Sequence, residues 1–200
     1  MQKTLLSSLT GCILALICFS RPALAQLGAN EYTITRRAEL SLLGDTKSYG
    51  YTVDQMEGRF NRKLSRFEFR LPLGAVRPVR SAADLLVFKS LFLNNPEDGF
   101  AAADLVQLWV YMPESTRNFD NFRNARTVTL NADFVVNGNV YRTPVAMNLF
   151  YSAGILKYGL DMSMNPAFAA TTSGTGFSDS PLRKLQMLVR DSEMNVAFNE

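Results

Sequence analysis

Apolar and polar residues alternate one by one along much of this chain, the period of a strand with one covered face rather than of a helix. Phe67, Phe69, Leu71 and Leu73 alternate with Arg66, Glu68, Arg70 and Pro72, so a strand here would turn its odd positions toward apolar contents and its even positions toward water. Leu156, Tyr158, Leu160, Met162 and Met164 alternate in the same way with Lys157, Gly159, Asp161 and Ser163. Val128, Leu130, Ala132, Phe134 and Val136 alternate with Thr127, Thr129, Asn131 and Asp133. Asn137-Gly138 then supplies the residue pair that accepts positive φ at a two-residue hairpin turn. The returning strand, about 140–151, carries Val145, Met147 and Leu149 on one face, and Pro144, which has no N–H to donate, predicts a bulge or an edge position. Ser152-Ala153-Gly154 turns the chain once more, giving a three-strand meander over about 127–164.

Less regular strands are predicted at about 31–43, 48–60, 104–112 and 183–198, the last with Met194, Val196 and Phe198 alternating. One helix is predicted at 82–92: Ser81 followed by Asp84 is a capping signature, Leu85, Phe88 and Phe92 share a face, and Asn94-Asn95-Pro96 ends it. The Thr-, Ser- and Gly-rich stretch 171–181 reads as a loop. The pattern describes an all-β, antiparallel domain of about eight strands with one short helix and no internal repeat.

The N-terminal stretch stands apart. Lys3, an apolar run from Leu5 to Phe19 and the small-residue site Ala23-Leu24-Ala25 read as a secretory signal over 1–25, leaving a mature domain of 26–200. The run falls short of the roughly 20 residues that span a bilayer, and Arg21-Pro22 follows it directly, which argues against a membrane anchor. Leu9-Thr10-Gly11-Cys12 has the local look of a lipidation box, but cleavage there would strand Ile13 to Phe19 on the mature side. Export with a bacterial-type site points to the periplasm.

The chain has 200 residues, no histidine and two cysteines, Cys12 and Cys18, both inside the signal. A mature chain without thiol or imidazole excludes disulfide scaffolds, Cys/His zinc sites, thiol redox chemistry and every His-dependent triad. The net charge of +3 falls to +1 without Lys3 and Arg21, so no long-range field argues for nucleic acid. A hydrolase would need Lys, Asp, Glu or Tyr as its base, and none of Lys47, Lys63, Lys89, Lys157 and Lys184 lies in a Ser-x-x-Lys pattern. Asp104, Asp133 and Asp161 fall at strand starts or on polar faces, where solvation explains them. Gly174-Thr175-Gly176 lacks the third glycine and the preceding strand of a nucleotide fingerprint, and Glu97-Asp98 offers too few oxygens for calcium. Neither a metal nor another cofactor is expected. Arg117 to Arg126 interleaves cations with Phe119 and Phe122, which would suit transient contact with lipid headgroups at a membrane surface or with an anionic polymer, but the neighbouring acid and the small net charge favour a solvated loop anchored by its phenylalanines.

The order of these segments resembles that of the YceI-like family of bacterial periplasmic proteins. The resemblance lies in paired N-terminal strands ending in Glu57-Gly58-Arg59-Phe60, the strand Phe67-Glu68-Phe69-Arg70-Leu71, the Asp84 to Phe92 helix, and Leu130 to Val145 with its Gly turn and Pro-Val strand. It spans roughly 32–165, and the chain departs from the family pattern in lacking the histidines that members commonly carry. The resemblance implies a lipocalin-like antiparallel barrel around a long isoprenoid or other lipid, without catalysis. The walls of such a cavity would be Phe67, Phe69 and Leu71, Leu108 and Val110, Phe134, Met147 and Leu149, and Tyr158, Leu160 and Met162. The alternative is a solid-cored β domain that serves as a cell-envelope interaction or assembly protein, because an alternating apolar face is expected in either case.

Overall fold

A computed structural model describes residues 31–93, 97–101, 104–114, 118–166 and 182–196. The proposed signal peptide and the 171–181 loop lie outside them, as do Asn94-Asn95-Pro96 and Phe198. The strands are β1 (Thr33–Ile34), β2 (Arg37–Gly44), β3 (Ser48–Val53), β4 (Glu57–Asn61), β5 (Arg66–Pro72), β6 (Val76–Pro78), β7 (Leu105–Tyr111), β8 (Arg126–Val136), β9 (Asn139–Ser152), β10 (Ile155–Met164) and β11 (Leu182–Asn195). A helix, α1 (Asp84–Phe92), follows β6. All pairings are antiparallel, in the order β1-β4-β5-β7-β8-β9-β10-β11-β2-β3-β6.

The sheet therefore has 11 strands rather than about eight, and its ladder forms a curled half-barrel instead of a closed ring. The count rises because each of the first two long segments breaks in two. Residues 31–43 become β1 and β2, which have different partners: β1 pairs with β4, while β2, two residues later, pairs with β11. Residues 48–60 break in the same place, at Asp54 to Met56, where Thr35 N–H donates to Met56 O at 2.7 Å. The three-residue β6 adds the last strand and sits at the edge beside β3.

Turns follow the chemistry of their residues. Asn137 and Gly138 both have positive φ, +49° and +75°, and the Val136–Asn139 pair closes the two-residue hairpin as expected. Ala153 and Gly154 repeat that geometry at +50° and +81°, so Ala153 bears a strained conformation that glycine or asparagine adopts more readily. At Pro144 no bulge forms: the β8–β9 register runs straight through it, and the β10 ladder stops one residue on, at Val145. Pro144 thus occupies the point where β9 becomes an edge toward β10, where a missing donor is tolerated. A bulge lies instead in β11, where Arg190 and Asp191 oppose Gly159 and Asp191 takes a φ of +49°.

Helix α1 ends at Phe92 and buries Phe88, Leu91 and Phe92; Leu85 is only partly covered, and Leu91 takes the central place the periodicity had left open. Ser81 accepts from Ala83 N–H and so holds the preceding turn rather than the helix's own first turn. Tyr51 ties α1 to the sheet, donating its hydroxyl to Asp84 O at 2.8 Å while its ring lies 5.1 Å from that of Phe88. Asn137 of the hairpin donates to Phe92 O, fixing the other end of the helix.

Gly58 carries a close approach. A Cβ there would lie 2.9 Å from both the Phe69 ring and the Tyr158 hydroxyl. Gly58→Ala is expected to lower stability by about 1–3 kcal/mol through overpacking, whereas Ala153→Gly should raise it by a few tenths to about 1 kcal/mol through relief of the positive-φ strain. Urea midpoints of the two variants would show both signs.

Candidate functional site

The inner face of the half-barrel is where the sequence places its wall residues, and register explains why they meet. Tyr51 faces Leu40, Leu40 faces Met187, Met187 faces Met162, Met162 faces Val145 and Val145 faces Leu130, a layer that crosses six strands. A second layer runs from Phe69 through Leu108 to Phe134. All the expected wall residues are buried on this face: Phe67, Phe69 and Leu71 of β5, Leu108 and Val110 of β7, Phe134 of β8, Met147 and Leu149 of β9, and Tyr158, Leu160 and Met162 of β10, none more than 3% exposed. The sequence reading missed the contribution of β2, β3 and β11, namely Leu40, Leu42, Tyr51, Leu185, Met187 and Val189. Their signal was present as alternation in Ala38-Leu40-Leu42 but was obscured where the strand breaks.

Aromatic side chains occupy both ends. At one end Phe88 of α1 packs on Tyr51, Phe92 and Phe100 at centroid distances of 5.1, 4.9 and 6.0 Å. At the other, a short 3-10 turn, Phe119–Phe122, turns Phe119 inward against Phe60 at 4.9 Å and Tyr151 at 5.9 Å. The phenylalanines of this segment are thus anchors that fill the interior, while the Asp120–Arg123 ion pair stays in water. Phe60, Phe67, Phe69 and Tyr158 continue inward from Phe119 in steps of 4.9 to 6.4 Å.

Between the plugs the space is narrow. A void of about 140 Å³, lined by Met56, Phe69, Leu71, Val106, Leu108 and Met187, is too finely divided to hold a water-sized sphere. A broader concavity of about 660 Å³ lies on the outer face over β8 to β11, around Gly159. Of the charged groups around it, Lys157 and Arg36 reach Glu193 at 3.6 and 3.5 Å, and Asp161 accepts from the Gln186 amide.

One residue expected to face water does not. Glu68 points to the outer side of β5, yet it is only 4% exposed, because Arg59, Arg66, Asn61 and Tyr32 close over it. Arg59 binds one carboxylate oxygen at 2.6 Å and Arg66 the other at 2.8 Å. Arg59 and Arg70 also stack over Tyr32, and Arg66 over Trp109. Burial alone would raise the Glu68 pKa; hydrogen bonds from Arg59, Arg66 and Asn61 outweigh it and hold the carboxyl below its ordinary range. The arginines at 66 and 70 flanking Glu68 were the sequence signal. Asp133, by comparison, accepts from Tyr111 at 2.7 Å and Asp104 from Ala101 N–H, both structural roles.

A carboxylate whose folded pKa is depressed contributes stability fully present above its unfolded pKa of about 4.3. That contribution is lost as pH falls through the lower folded value. Glu68→Gln, which leaves two guanidiniums without their counter-charge, should cost about 3 kcal/mol at neutral pH and flatten the acid limb of a stability-versus-pH curve, measurable by denaturant titration.

No protein-family model matches the sequence, and no curated protein matches it by sequence. Solved structures do match by shape. A polyisoprenoid binding domain from Saccharophagus degradans, implicated in plant cell wall breakdown, aligns with a TM-score of 0.60 at 10% identity over 83% of this chain and 98% of its own. BcnA from Burkholderia cenocepacia aligns with a TM-score of 0.51 at 7% identity, over 79% of this chain and 96% of its own. Identities this low establish shared architecture alone. The chain has the YceI-like fold that the order of its segments implied.

Proposed function

We propose that this protein is a non-enzymatic carrier or sequestering protein of the periplasm, which holds an apolar chain, an isoprenoid or other lipid, against the inner face of its half-barrel. The observation that carries this reading is an inner face that is apolar across β2 to β11 and rich in side chains able to repack, on a fold shared with a polyisoprenoid binding domain. Met56, Met147, Met162 and Met187 are unbranched and adapt to differing contours. In this reading a chain enters by displacing an aromatic plug, and each methylene buried contributes about 0.8 kcal/mol before ordering costs.

The tightness of the interior favours a second reading, a solid-cored domain that acts through its surface in envelope assembly. Organic extraction and mass spectrometry of protein purified from its native compartment without detergent separates the two. Stoichiometric lipid is expected; a lipid-free, fully stable protein would establish the solid core. Leu160→Arg and Phe134→Asp should abolish lipid retention or folding, and a folded, fully loaded variant would remove those residues from the wall.

A further inference from the structure

Two concavities lie side by side on the outer face of the sheet, away from the apolar interior. The first is the one of about 660 Å³ over β8 to β11. The second, of about 550 Å³, opens over β7 to β9, and its lining includes Tyr111, Asn131, Asp133, Arg142 and Pro144. Register joins them. Asn131 pairs with Pro144, Thr129 with Ala146 and Thr127 with Asn148, three successive outward-facing pairs of β8 and β9. Pro144 lines the second concavity and Ala146 and Asn148 the first, so one band of surface leads from one to the other over the small side chains of Thr129 and Ala146. Four residues of β8, about 13 Å, separate Asn131 from Thr127. The first concavity is deep where Gly159, level with Asn148, brings no side chain, and where the β11 bulge sets Arg190 and Asp191, both exposed, opposite that glycine.

Each concavity carries the same kinds of group: an aromatic ring, a primary amide, a carboxylate and a guanidinium. They are Phe150, Asn148, Asp161 and Arg190 in the first. In the second they are Tyr111, Asn131, Asp133 and Arg142. Both carboxylates are held in place, Asp161 by the Gln186 amide at 3.0 Å and Asp133 by the Tyr111 hydroxyl at 2.7 Å, which leaves lone pairs on each for a further donor. Both amides belong to exposed residues. Charge is balanced within each lining. Arg36, Lys157 and Arg190 stand against Asp161, Asp191 and Glu193 in the first, and Arg142 against Asp133 in the second, so neither sets up a field that draws a charged polymer.

We propose that this band is a binding site for a neutral, unbranched glycan, with one sugar-recognising set in each concavity. A sugar hydroxyl donates and accepts at once, so neighbouring hydroxyls use an amide, a carboxylate and a guanidinium together, while the C–H face of the ring packs on the aromatic side chain. A plain hydrocarbon chain would cover these groups and leave them unpaired. Two like sets on one face suit a polymer of like units, because the second set is met at high effective concentration once the first is engaged. The site is separate from the interior and stands whether or not the half-barrel carries a lipid.

The test titrates the isotope-labelled full chain with cellohexaose, maltohexaose and N-acetylchitohexaose, with the matching disaccharides, and with a polar peptide of similar length, and follows the backbone amide resonances. At least one hexasaccharide should bind with a Kd of about 1 mM or below and shift amides in both 127–133 and 146–161. Its disaccharide should bind about tenfold more weakly or worse. Asn131→Ala and Asn148→Ala, both at exposed positions, should each weaken the hexasaccharide about five- to tenfold while leaving the urea midpoint nearly unchanged. Gly159→Ala, whose methyl would lie 3.4 Å from Val189 O and so fits the fold, should weaken it by filling the floor of the first concavity. No shift with any saccharide, or shifts confined to residues outside the band, would overturn the site. Equal binding of the peptide would overturn its assignment to glycans, and a disaccharide that binds as tightly as the hexasaccharide would overturn the joint use of the two sets.

Discussion

The crossing at Thr35 and Arg36 is the constraint on which the rest depends. Two residues separate β1, hydrogen-bonded to β4, from β2, hydrogen-bonded to β11, so regions remote in the strand order are held together covalently. A sheet of this size is twisted by its strands' own chirality, and tethering one end to β2, the ninth strand of the order, turns twist into enclosure. Only then does the alternation along each strand acquire an inside and an outside. The hydrogen bonds of Thr33, Thr35 and Arg36 to Gly58, Met56 and Ser192 hold that crossing in place.

Enclosure lets the two faces be built from different physics. The inner face buries apolar area, the dominant favourable term in folding, and Phe88 and Phe119 close its ends with edge and tilted ring contacts. The outer face of β4, β5 and β7 is organised by charge. Glu68 there is buried as deeply as a core residue, and its two guanidiniums compensate it while stacking on Tyr32 and Trp109. This outer cluster links β4 to β5 and β7 beside the crossing, so it braces the region where the sheet's end must stay in place.

The bulge in β11 is coupled to the same place. Asp191 takes the extra residue opposite Gly159, and beyond it the inward parity of the strand resets, so Ser192, Met194 and Val196 face in after Leu185, Met187 and Val189. Without that reset Ser192 would face out, and Arg36 would lose its acceptor. A one-residue insertion thereby places a hydroxyl on an otherwise apolar wall.

The strands, their inward faces and the two-residue turns were legible in the sequence because each depends on neighbours within a few positions. Alternation reports which side of a strand is covered, and Asn137-Gly138 reports positive φ, whatever the rest of the chain does. The inward burial of the eleven residues named for the apolar face was readable for the same reason. The break of 31–43 and 48–60 into four strands, the burial of Glu68, and the pairing of Tyr158 with Ser192 were decided only in three dimensions. Each depends on which distant strand lies alongside: β4 or β11 for Thr35, β4 and β7 for Glu68, β11 for Tyr158. Local periodicity determined which residues turn inward, and long-range pairing decided which of them meet, because side-chain direction is set by the backbone's own repeat and side-chain company by the partners that the curled sheet brings together.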